Sequence, residues 1–347
     1  MQKFIIQNIC RINNDAKVKF IGRSWKSSTD ESDFVNEEYT KLQGISINFA
    51  DNKNEEDEII PQKGLSKNCI NYDSKERCWL ILIPENMNLA KDSPLIIDMH
   101  GIGGNMYLQH NLTRFANISE ENGVYVVYPQ GFNDEWNMAD DLCCGDDDDF
   151  GFILEMIETI TQKYAVDESR IYSTGWSNGC GMTQRLVAQA SEIFAAAACS
   201  SMYFLDDPSP DYSPIPFMEI HGLVDELVHY PSLSLVGFYY GVYDVEASLV
   251  GAIQNFENWA DLNGCQGLIP EIIALEEDYD IRAYSDCENG AEVRLMTQFY
   301  ASHNPYINDY PASSGVGRGK GNPTGIPTTE ILWDFLSQYS KIIGNES

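Results

Sequence analysis

Short apolar runs alternate with longer stretches of mixed polarity along most of the chain. Seven short runs are apolar over most of their length and are bounded by Gly, Pro or polar residues, which is the pattern of β-strands. Several do not alternate with polar residues, as expected of strands buried on both faces. The predicted strands are CWLILIP (78–84), PLIIDMH (94–100), GVYVVYP (123–129), RIYSTGW (170–176), FAAAACSSM (194–202), PFMEIHG (216–222) and VRLMTQFYA (293–301).

Helical patterns lie between and after these strands, with apolar residues at spacings of three and four. Alternating strands and helices predict an α/β fold, with a mostly parallel sheet that is covered by helices on both faces. The predicted helices are FGFILEMIETITQKY (150–164), GMTQRLVAQASEI (181–193), EASLVGAIQNFENWADL (246–262) and TTEILWDFLSQYS (328–340).

The pattern changes at about residue 75. Residues 1–75 are polar and charged, so we expect an N-terminal extension that is partly irregular, with one edge strand at ISINFA (45–50). Residues 76–342 contain the seven strands and four helices named in the preceding paragraphs and form the predicted main domain. A Gly- and Pro-rich segment, 313–327, is expected to be a loop before the last helix.

The charge balance excludes several classes of partner. The 53 acidic residues against 22 basic ones give a formal net charge of −31, which repels phosphate backbones and anionic membrane surfaces. We therefore expect neither nucleic acid nor a membrane as a partner. No run of about 18 apolar residues occurs, so no transmembrane helix is predicted.

Nine cysteines and three glycosylation sequons favour an extracellular protein. The sequons begin at Asn111, Asn117 and Asn345. The first 15 residues contain only a brief apolar patch and no small-residue cleavage site, so they are not predicted to be a signal peptide. The expected extracellular location therefore depends on the cysteines and the sequons.

The cysteine spacing argues against a zinc site, because no C-x-x-C pair and no nearby pair of histidines is present. We predict no metal and no cofactor, and disulfides are the better use of these residues. Cys265 and Cys287 flank a loop-like stretch and are the favoured intrachain pair. Cys199, in the apolar run 194–202, is predicted to be a buried free thiol.

The segment Gly175-Trp176-Ser177-Asn178-Gly179 fits the motif G-x-S-x-G and lies directly between a predicted strand and a predicted helix. A turn this tight needs small residues on both sides of the serine, and it lifts the serine hydroxyl clear of the sheet. Ser177 is therefore the predicted nucleophile.

A serine hydroxyl needs a base to remove its proton, and the chain has five histidines. In proteins with this motif the order along the chain is serine, acid, histidine. His303 follows the last predicted strand and is the expected base. Asp225 lies on the loop after the sixth predicted strand and is the expected acid. His229 is too close to Asp225 to be the base, and His221 is expected to have a structural role.

An oxyanion formed at the substrate needs two backbone N–H donors. One is expected from Asn178, directly after the nucleophile. The other is expected from Ile102, in the run HGIGG (100–104) that follows an early strand. His100 is expected to brace this loop and not to act as a catalyst.

These segments together resemble the polyhydroxybutyrate depolymerase-like and feruloyl-esterase-like group of α/β-hydrolases. The resemblance covers roughly residues 78–340 and implies the α/β-hydrolase fold and a triad of Ser177, Asp225 and His303. Members of the group hydrolyse carboxylic esters, often of plant cell-wall polysaccharides or polyesters, and are commonly secreted. The resemblance is carried by HGIGGN, VVYPQGFNDEWN, CCGDDDD with GFI, VDESRIYSTGWSNGCGM, HGLVDELVHY, NWADLNGC and the late His303.

The resemblance also implies roles for residues near the site. The resemblance makes Trp136 an expected contact of the substrate. Apart from the resemblance, Tyr306 is a second aromatic that we expect near the mouth, in contact with substrate. The family often has Trp and Pro soon after the histidine, whereas here His303 is followed by Asn, Pro and Tyr306, so the pocket is expected to differ in shape. Cys180 is expected either to pair with Cys143 or Cys144 or to be a free buried thiol.

The acidic run Asp146 to Asp149 precedes a predicted helix, where carboxylates suit the helix N-terminus. With Asp140 and Asp141 the run could instead bind calcium, although its spacing matches no EF-hand loop.

The sequence thus predicts a serine esterase, with feruloyl or related esters of a plant-type polysaccharide as the favoured substrate. A polyester such as polyhydroxybutyrate is the alternative ester. A catalytically silent binding protein and a peptidase are alternatives of other classes.

Overall fold

The computed structural model describes residues 63–139, 144, 146–225, 227–230, 251–306 and 322–341. This part of the chain contains ten strands and six α-helices. The strands are β1 (Gly64–Tyr72), β2 (Lys75–Ile83), β3 (Ser93–Met99), β4 (Tyr125–Pro129), β5 (Val166–Gly175), β6 (Ala196–Ser200), β7 (Phe217–Gly222), β8 (Glu271–Leu275), β9 (Tyr279–Tyr284) and β10 (Val293–Gln298). The helices are α1 (Met106–Thr113), α2 (Phe115–Asn122), α3 (Asp149–Lys163), α4 (Asn178–Gln189), α5 (Ala252–Leu262) and α6 (Thr328–Leu336).

All ten strands form a single sheet in the order β1-β2-β4-β3-β5-β6-β7-β10-β9-β8. The six central strands, from β4 to β10, pair in parallel, and the two strands at each end pair antiparallel. The predicted α/β architecture with a mostly parallel sheet is confirmed. All seven predicted strands are present, with ends that differ by a few residues.

Both faces of the central sheet are buried. Alternate residues of the strands, such as Leu80 and Leu82 of β2, pack with α1, α2 and α6 in one apolar cluster. The intervening residues, such as Ile81 and Ile83, are equally buried on the other face. Two-sided burial explains why these strands lack alternation in the sequence. No helix among the described residues combines the length and the apolarity needed to cross a bilayer.

The sheet extends further toward the N-terminus than the predicted boundary at residue 76. β1 begins at Gly64 and pairs with β2 along its whole length, so the last part of the segment 1–75 belongs to the sheet. β1 is half-buried at best and contains three consecutive polar residues, Ser66 to Asn68, which explains why its sequence did not indicate a buried strand. The predicted edge strand at 45–50 lies outside the described residues.

The disulfides correct two predictions. Cys180 at the start of α4 bonds to Cys199 of β6, so Cys199 is not a free thiol and Cys180 pairs with neither Cys143 nor Cys144. Cys144 is disulfide-bonded as well, whereas Cys143 lies outside the described residues. The structure also joins Cys265 to Cys287, the pair favoured above. Cys69 and Cys78 form a further bridge between opposed positions of β1 and β2.

The carboxyl ends of β3, β5, β7 and β10 meet at one edge of the sheet, because these strands are parallel and nearly adjacent. In open α/β sheets this edge is where functional residues gather. The loops that follow these four strands carry Ile102, Ser177, Asp225 and His303, respectively.

Candidate active site

Ser177 occupies a sharp turn between β5 and α4. Its backbone has φ 56° and ψ −123°, a conformation that residues other than glycine rarely adopt. A Cβ atom at Gly175 would lie 2.5 Å from the carbonyl oxygen of Gly179, and one at Gly179 would lie 2.2 Å from the carbonyl oxygen of Met99. The two glycines of the motif are therefore required by the close approach of α4 to β3, and this approach holds Ser177 in its strained turn.

His303 lies on the loop after β10, within hydrogen-bond distance of the serine. Its Nε2 is 2.8 Å from the hydroxyl oxygen of Ser177, and its Nδ1 is 2.8 Å from Oδ2 of Asp225. The indole N–H of Trp176 donates to the carbonyl oxygen of His303 at 2.7 Å, which fixes the loop. With Nδ1–H donating to the carboxylate, Nε2 is free to accept the serine proton.

Asp225 is held by four donors. Its Oδ1 accepts from the backbone N–H groups of Leu227 and Val228, both at 2.8 Å, and its Oδ2 faces His303 and His221. Burial by itself would raise the pKa of Asp225. The charges and hydrogen bonds of the two histidines outweigh burial and hold this pKa well below its usual range. Asp225 is therefore a carboxylate at any ordinary working pH.

The loop after β3 lies against the serine. A Cβ at Gly101 would lie 3.0 Å from the ring of Trp176 and 3.3 Å from the Cβ of Ser177, so a side chain there would force these neighbours to shift. The backbone hydrogen bonds of the described residues include none donated by Ile102 or Asn178, the two predicted oxyanion donors. Both N–H groups are thus available beside the nucleophile, as an oxyanion hole requires.

His100 braces this loop as a neutral imidazole. Burial lowers its pKa to about 4, against a smaller opposing effect of its hydrogen bond to Gly101. Its Nδ1 is 2.8 Å from the carbonyl oxygen of Gly101, and its Nε2 accepts from the N–H of Gly131 at 3.0 Å. Since a carbonyl oxygen only accepts, the ring proton is on Nδ1.

Trp136 lies elsewhere than expected. It has no exposed surface, and its indole N–H donates to the carbonyl oxygen of His100 at 2.9 Å. Its backbone N–H and C=O bond to the side-chain amide of Asn178 at 2.7 and 2.9 Å. The expectation of substrate contact is corrected: Trp136 ties the loop after β3 to the first residue of α4, and thus connects the segments that carry the two predicted oxyanion donors.

Tyr306 is also buried, with 2% of its surface exposed, and it packs in the apolar cluster that includes α6. Its hydroxyl lies 3.4 Å from that of Ser200, and burial raises its pKa. The expectation that Tyr306 contacts substrate is therefore corrected as well.

The sequence did not single out Glu219, which lies two residues before His221 in β7. Its carboxylate is fully buried and contacts His221, which in turn contacts Asp225. The sequence did contain a signal for this role: Glu219 is a charged residue inside an otherwise apolar predicted strand. Burying a charge is costly unless it is paired, so a partner was to be expected.

The acidic run before α3 is bonded within the protein. Asp148 is the N-cap of α3 and accepts from the N–H of Gly151 at 2.8 Å, in agreement with the capping interpretation. Asp147 and Asp149 form ion pairs, with Lys75 and Arg77 respectively. Among the described residues, the one cluster with metal-ligand spacing is Cys69, Glu76 and Cys78, and the disulfide uses both of its sulfur atoms. Asp140 and Asp141 lie outside the described residues.

Comparison with known proteins agrees with this geometry. A sequence profile of the prolyl oligopeptidase family matches residues 144–205, the segment that contains the nucleophile turn. The fold is similar to that of the acetyl xylan esterase from Aspergillus awamori, with a TM-score of 0.53 and 16% identity over 71% of this chain and 96% of that one. This likeness and the sheet described above show that the chain has the α/β-hydrolase fold.

Two curated relatives are similar to this chain over about three quarters of its length. The chain is 28% identical to feruloyl esterase B of Piromyces equi over 270 residues, which are 75% of this chain and 45% of that protein. It is also 28% identical to the bifunctional acetylxylan esterase/xylanase XynS20E of Neocallimastix patriciarum, over 73% of this chain and 32% of that protein. The chain therefore spans less than half the length of these relatives. By their names these relatives are, or include, esterases, and this chain is similar to both in sequence.

Proposed function

We propose that this chain is a serine carboxylic-ester hydrolase with Ser177 as nucleophile, His303 as base and Asp225 as the acid that orients the base. The observation that carries the proposal is the unbroken series of hydrogen bonds from the Ser177 hydroxyl through both ring nitrogens of His303 to Asp225. The strained turn at Ser177 and the free N–H groups beside it support the same conclusion.

The geometry supports acyl transfer in two steps. In the first, Nε2 of His303 takes the hydroxyl proton while Oγ of Ser177 bonds to the ester carbonyl carbon, and the N–H groups of Ile102 and Asn178 stabilise the resulting oxyanion. His303 then gives its proton to the leaving alcohol as the ester bond breaks. In the second step His303 takes a proton from a water molecule as that water attacks the acyl carbon. His303 then gives the proton to Oγ of Ser177 as the acyl bond to the serine breaks, which releases the acid and restores the enzyme.

For the substrate, we propose feruloyl or related acyl esters carried by a plant-type polysaccharide. The names of the curated relatives support this class, since they include feruloyl esterases and an acetylxylan esterase. We also propose that the protein works outside the cell. Three disulfides among the described residues and the exposed positions of Asn111 and Asn117 support that location.

The test compares wild type with Ser177→Ala on p-nitrophenyl acetate, methyl ferulate, acetylated xylan and a hydroxybutyrate oligomer. We expect turnover of the first three esters, and a loss of about 10⁴-fold or more in the variant. Ser285→Ala is the matched control, because Ser285 is exposed and lies outside the site. It should retain wild-type rates.

Other outcomes separate the remaining alternatives. Turnover of the hydroxybutyrate oligomer alone would indicate that the substrate is a polyester and not a polysaccharide ester. Cleavage of a prolyl peptide, without turnover of any ester, would indicate a peptidase. A folded wild-type protein that binds xylan but turns over none of these substrates would contradict the enzymatic proposal.

A further inference from the structure

A second buried histidine lies behind the acid of the triad. His221, at the end of β7, has no exposed surface and lies between two carboxylates. Its Nδ1 is 2.6 Å from Oε1 of Glu219, and its Nε2 is 3.3 Å from Oδ2 of Asp225. Oδ2 of Asp225 is the same oxygen that faces His303 at 2.8 Å. The series Ser177, His303 and Asp225 therefore continues inward through His221 to Glu219.

The neighbours of His221 determine where its protons lie. Nε2 is 2.7 Å from the carbonyl oxygen of Val228, and a carbonyl oxygen only accepts, so Nε2 carries a hydrogen. On the other side of the ring, Glu219 Oε2 accepts from the side-chain amide of Asn255 at 2.6 Å. Burial raises the pKa of Glu219, while the hydrogen bond and charge of His221 and the hydrogen bond from Asn255 act in the opposite direction. Oε1 of Glu219 lies 2.6 Å from Nδ1 of His221 and is placed to accept from it.

The amide of Asn255 is itself fixed in orientation. Its oxygen accepts from the backbone N–H of Phe204 at 2.8 Å, so its nitrogen must face Glu219. The same nitrogen donates to Oε1 of Gln184 at 3.0 Å, and that oxygen also accepts from the indole N–H of Trp259. The hydrogen bonds of Asn255 thus have a fixed direction, and its amide nitrogen is the donor to Glu219.

We propose that His221 is a positioning residue for the hydrolytic reaction. It is a doubly protonated imidazole that lies between Glu219 and Asp225. It holds the carboxylate of Asp225 in place, and its positive charge disfavours a second positive charge on His303. This inference rests on the proposed function and adds a residue to its machinery. Its consequence is that the enzyme remains active at lower pH than Asp225 and His303 alone would allow.

Electrostatics support the charged form. Burial alone lowers the pKa of His221, but hydrogen bonds and charges from Asp225 and Glu219 outweigh burial and raise the pKa to about 10. Among the described residues, two further titratable side chains face the ring, and both are tyrosines. Tyr203 stacks on the ring at 6.0 Å, Tyr230 meets it edge-on at 5.8 Å, and His229 bonds to the backbone of Asp225. Burial raises the pKa of both tyrosines, so both are neutral. The charges that set the protonation state of His221 are therefore those of Asp225 and Glu219.

The sign of the expected pH effect follows from the charge on His221. A cation beside Asp225 weakens the attraction of that carboxylate for a proton on His303. Replacing His221 by a neutral residue strengthens this attraction, so His303 would be protonated, and inactive as a base, up to a higher pH. This sign is the same whether Glu219 in the variant stays ionised or takes up a proton, because His221 is the nearer group to Asp225.

The first test is the pH dependence of kcat/KM for methyl ferulate in His221→Gln. We expect the acidic limb of the profile to move upward by about one pH unit, since a unit charge at this range has an effect of that order. His110→Gln is the matched control, because His110 is a partly buried histidine that contacts Tyr128 and lies in α1, away from Asp225. The control should leave the limb in place.

A second variant covers the risk that the single replacement prevents folding. Removing one partner of a buried ion pair is strongly destabilising, whereas removing both is tolerated far better. His221→Gln combined with Glu219→Gln should therefore fold and show an upward shift that is smaller than in the single variant, because an anion is removed together with the nearer cation. An acidic limb that stays within about 0.2 units of wild type in the folded variants would overturn the proposal.

A spectroscopic test does not depend on activity. In protein labelled with ¹⁵N-histidine, the signal that disappears in the variant lacking His221 belongs to that residue. We expect both of its nitrogens to be protonated between pH 6 and 8. A signal with one unprotonated nitrogen would overturn the proposal even in an active enzyme, whereas absence of Ser177-dependent turnover would contradict the proposed function and leave this measurement intact.

Discussion

Trp136 is a buried side chain whose single polar atom connects two parts of the site. Its indole N–H donates to the carbonyl oxygen of His100, and its backbone bonds to the side chain of Asn178. Small displacements of groups that position a reacting centre have large effects on rate. We therefore expect the hydrogen bond from Trp136 to His100 to affect the rate of the reaction through the position of the loop after β3.

We predict that Trp136→Phe lowers kcat by about 10- to 100-fold while leaving KM nearly unchanged. Phenylalanine keeps most of the packing but leaves the carbonyl of His100 without its donor, so the loop that carries Ile102 shifts. The measurement is steady-state kinetics on both p-nitrophenyl acetate and methyl ferulate. Equal losses on the two esters are expected. A rise in KM confined to the ferulate ester would instead restore the interpretation that Trp136 contacts substrate.

At the scale of elements, the close packing of α4 on the end of β3 sets the geometry of the nucleophile. The helix begins at Asn178, and the carbonyl oxygen of Met99 leaves no room for a side chain at Gly179. The same helix is tied to β6 by the disulfide between Cys180 and Cys199. The turn at Ser177 is thus held from both of the strands that flank β5.

We predict that Gly179→Ala lowers the free energy of unfolding by about 1–3 kcal/mol and removes most activity, because the methyl group would push α4 away from β3. Thermal unfolding and turnover of p-nitrophenyl acetate measure the two effects. Gly181→Ala is the matched control, since its methyl group would meet the flexible side chain of Met138 and not backbone. Similar losses in both variants would argue against a special role for the contact with Met99.

At the scale of the whole molecule, a net charge of −31 coexists with a core that contains ionisable groups. Asp98 of β3 is fully buried and accepts from Gln109 at 2.7 Å and from Thr113 at 2.5 Å. Burial raises its pKa to about 7 from an ordinary 3.8, although these hydrogen bonds act in the opposite direction. Between these two values the folded protein binds a proton that the unfolded chain has released.

This difference makes stability fall as pH rises. The contribution from Asp98 is fully present below about pH 4 and is lost as the pH approaches 7. We predict that Asp98→Asn removes this part of the pH dependence, so that wild type loses about 2–4 kcal/mol more than the variant between pH 4 and 7.5. Denaturant unfolding at several pH values measures it. Asp92→Asn, which alters an exposed carboxylate, should follow wild type, and parallel curves for wild type and the Asp98 variant would contradict the assignment.

The limits of sequence reasoning are seen in particular elements. The parallel strands were predictable because they are apolar on both faces. β8 was not predictable, because it is largely exposed at the sheet edge and its residues, EIIAL, carry no periodic signal. β9, its neighbour in the sheet, was not predicted either. The disulfide between Cys180 and Cys199 was not predictable either, since it depends on α4 packing beside β6.

The sequence by itself determined the order of the seven strands and four helices that its pattern predicts, the turn at Ser177, and Asp225 and His303 as the expected partners of the serine. These follow from local periodicity and from motifs of a few residues, which depend on neighbouring positions alone. Only the tertiary structure decided that Trp136 and Tyr306 are buried, that Cys180 bonds Cys199, and that Glu219 and His221 extend the series behind Asp225. Such properties depend on which segments pack together across the sheet, and a linear pattern does not encode the distances between them.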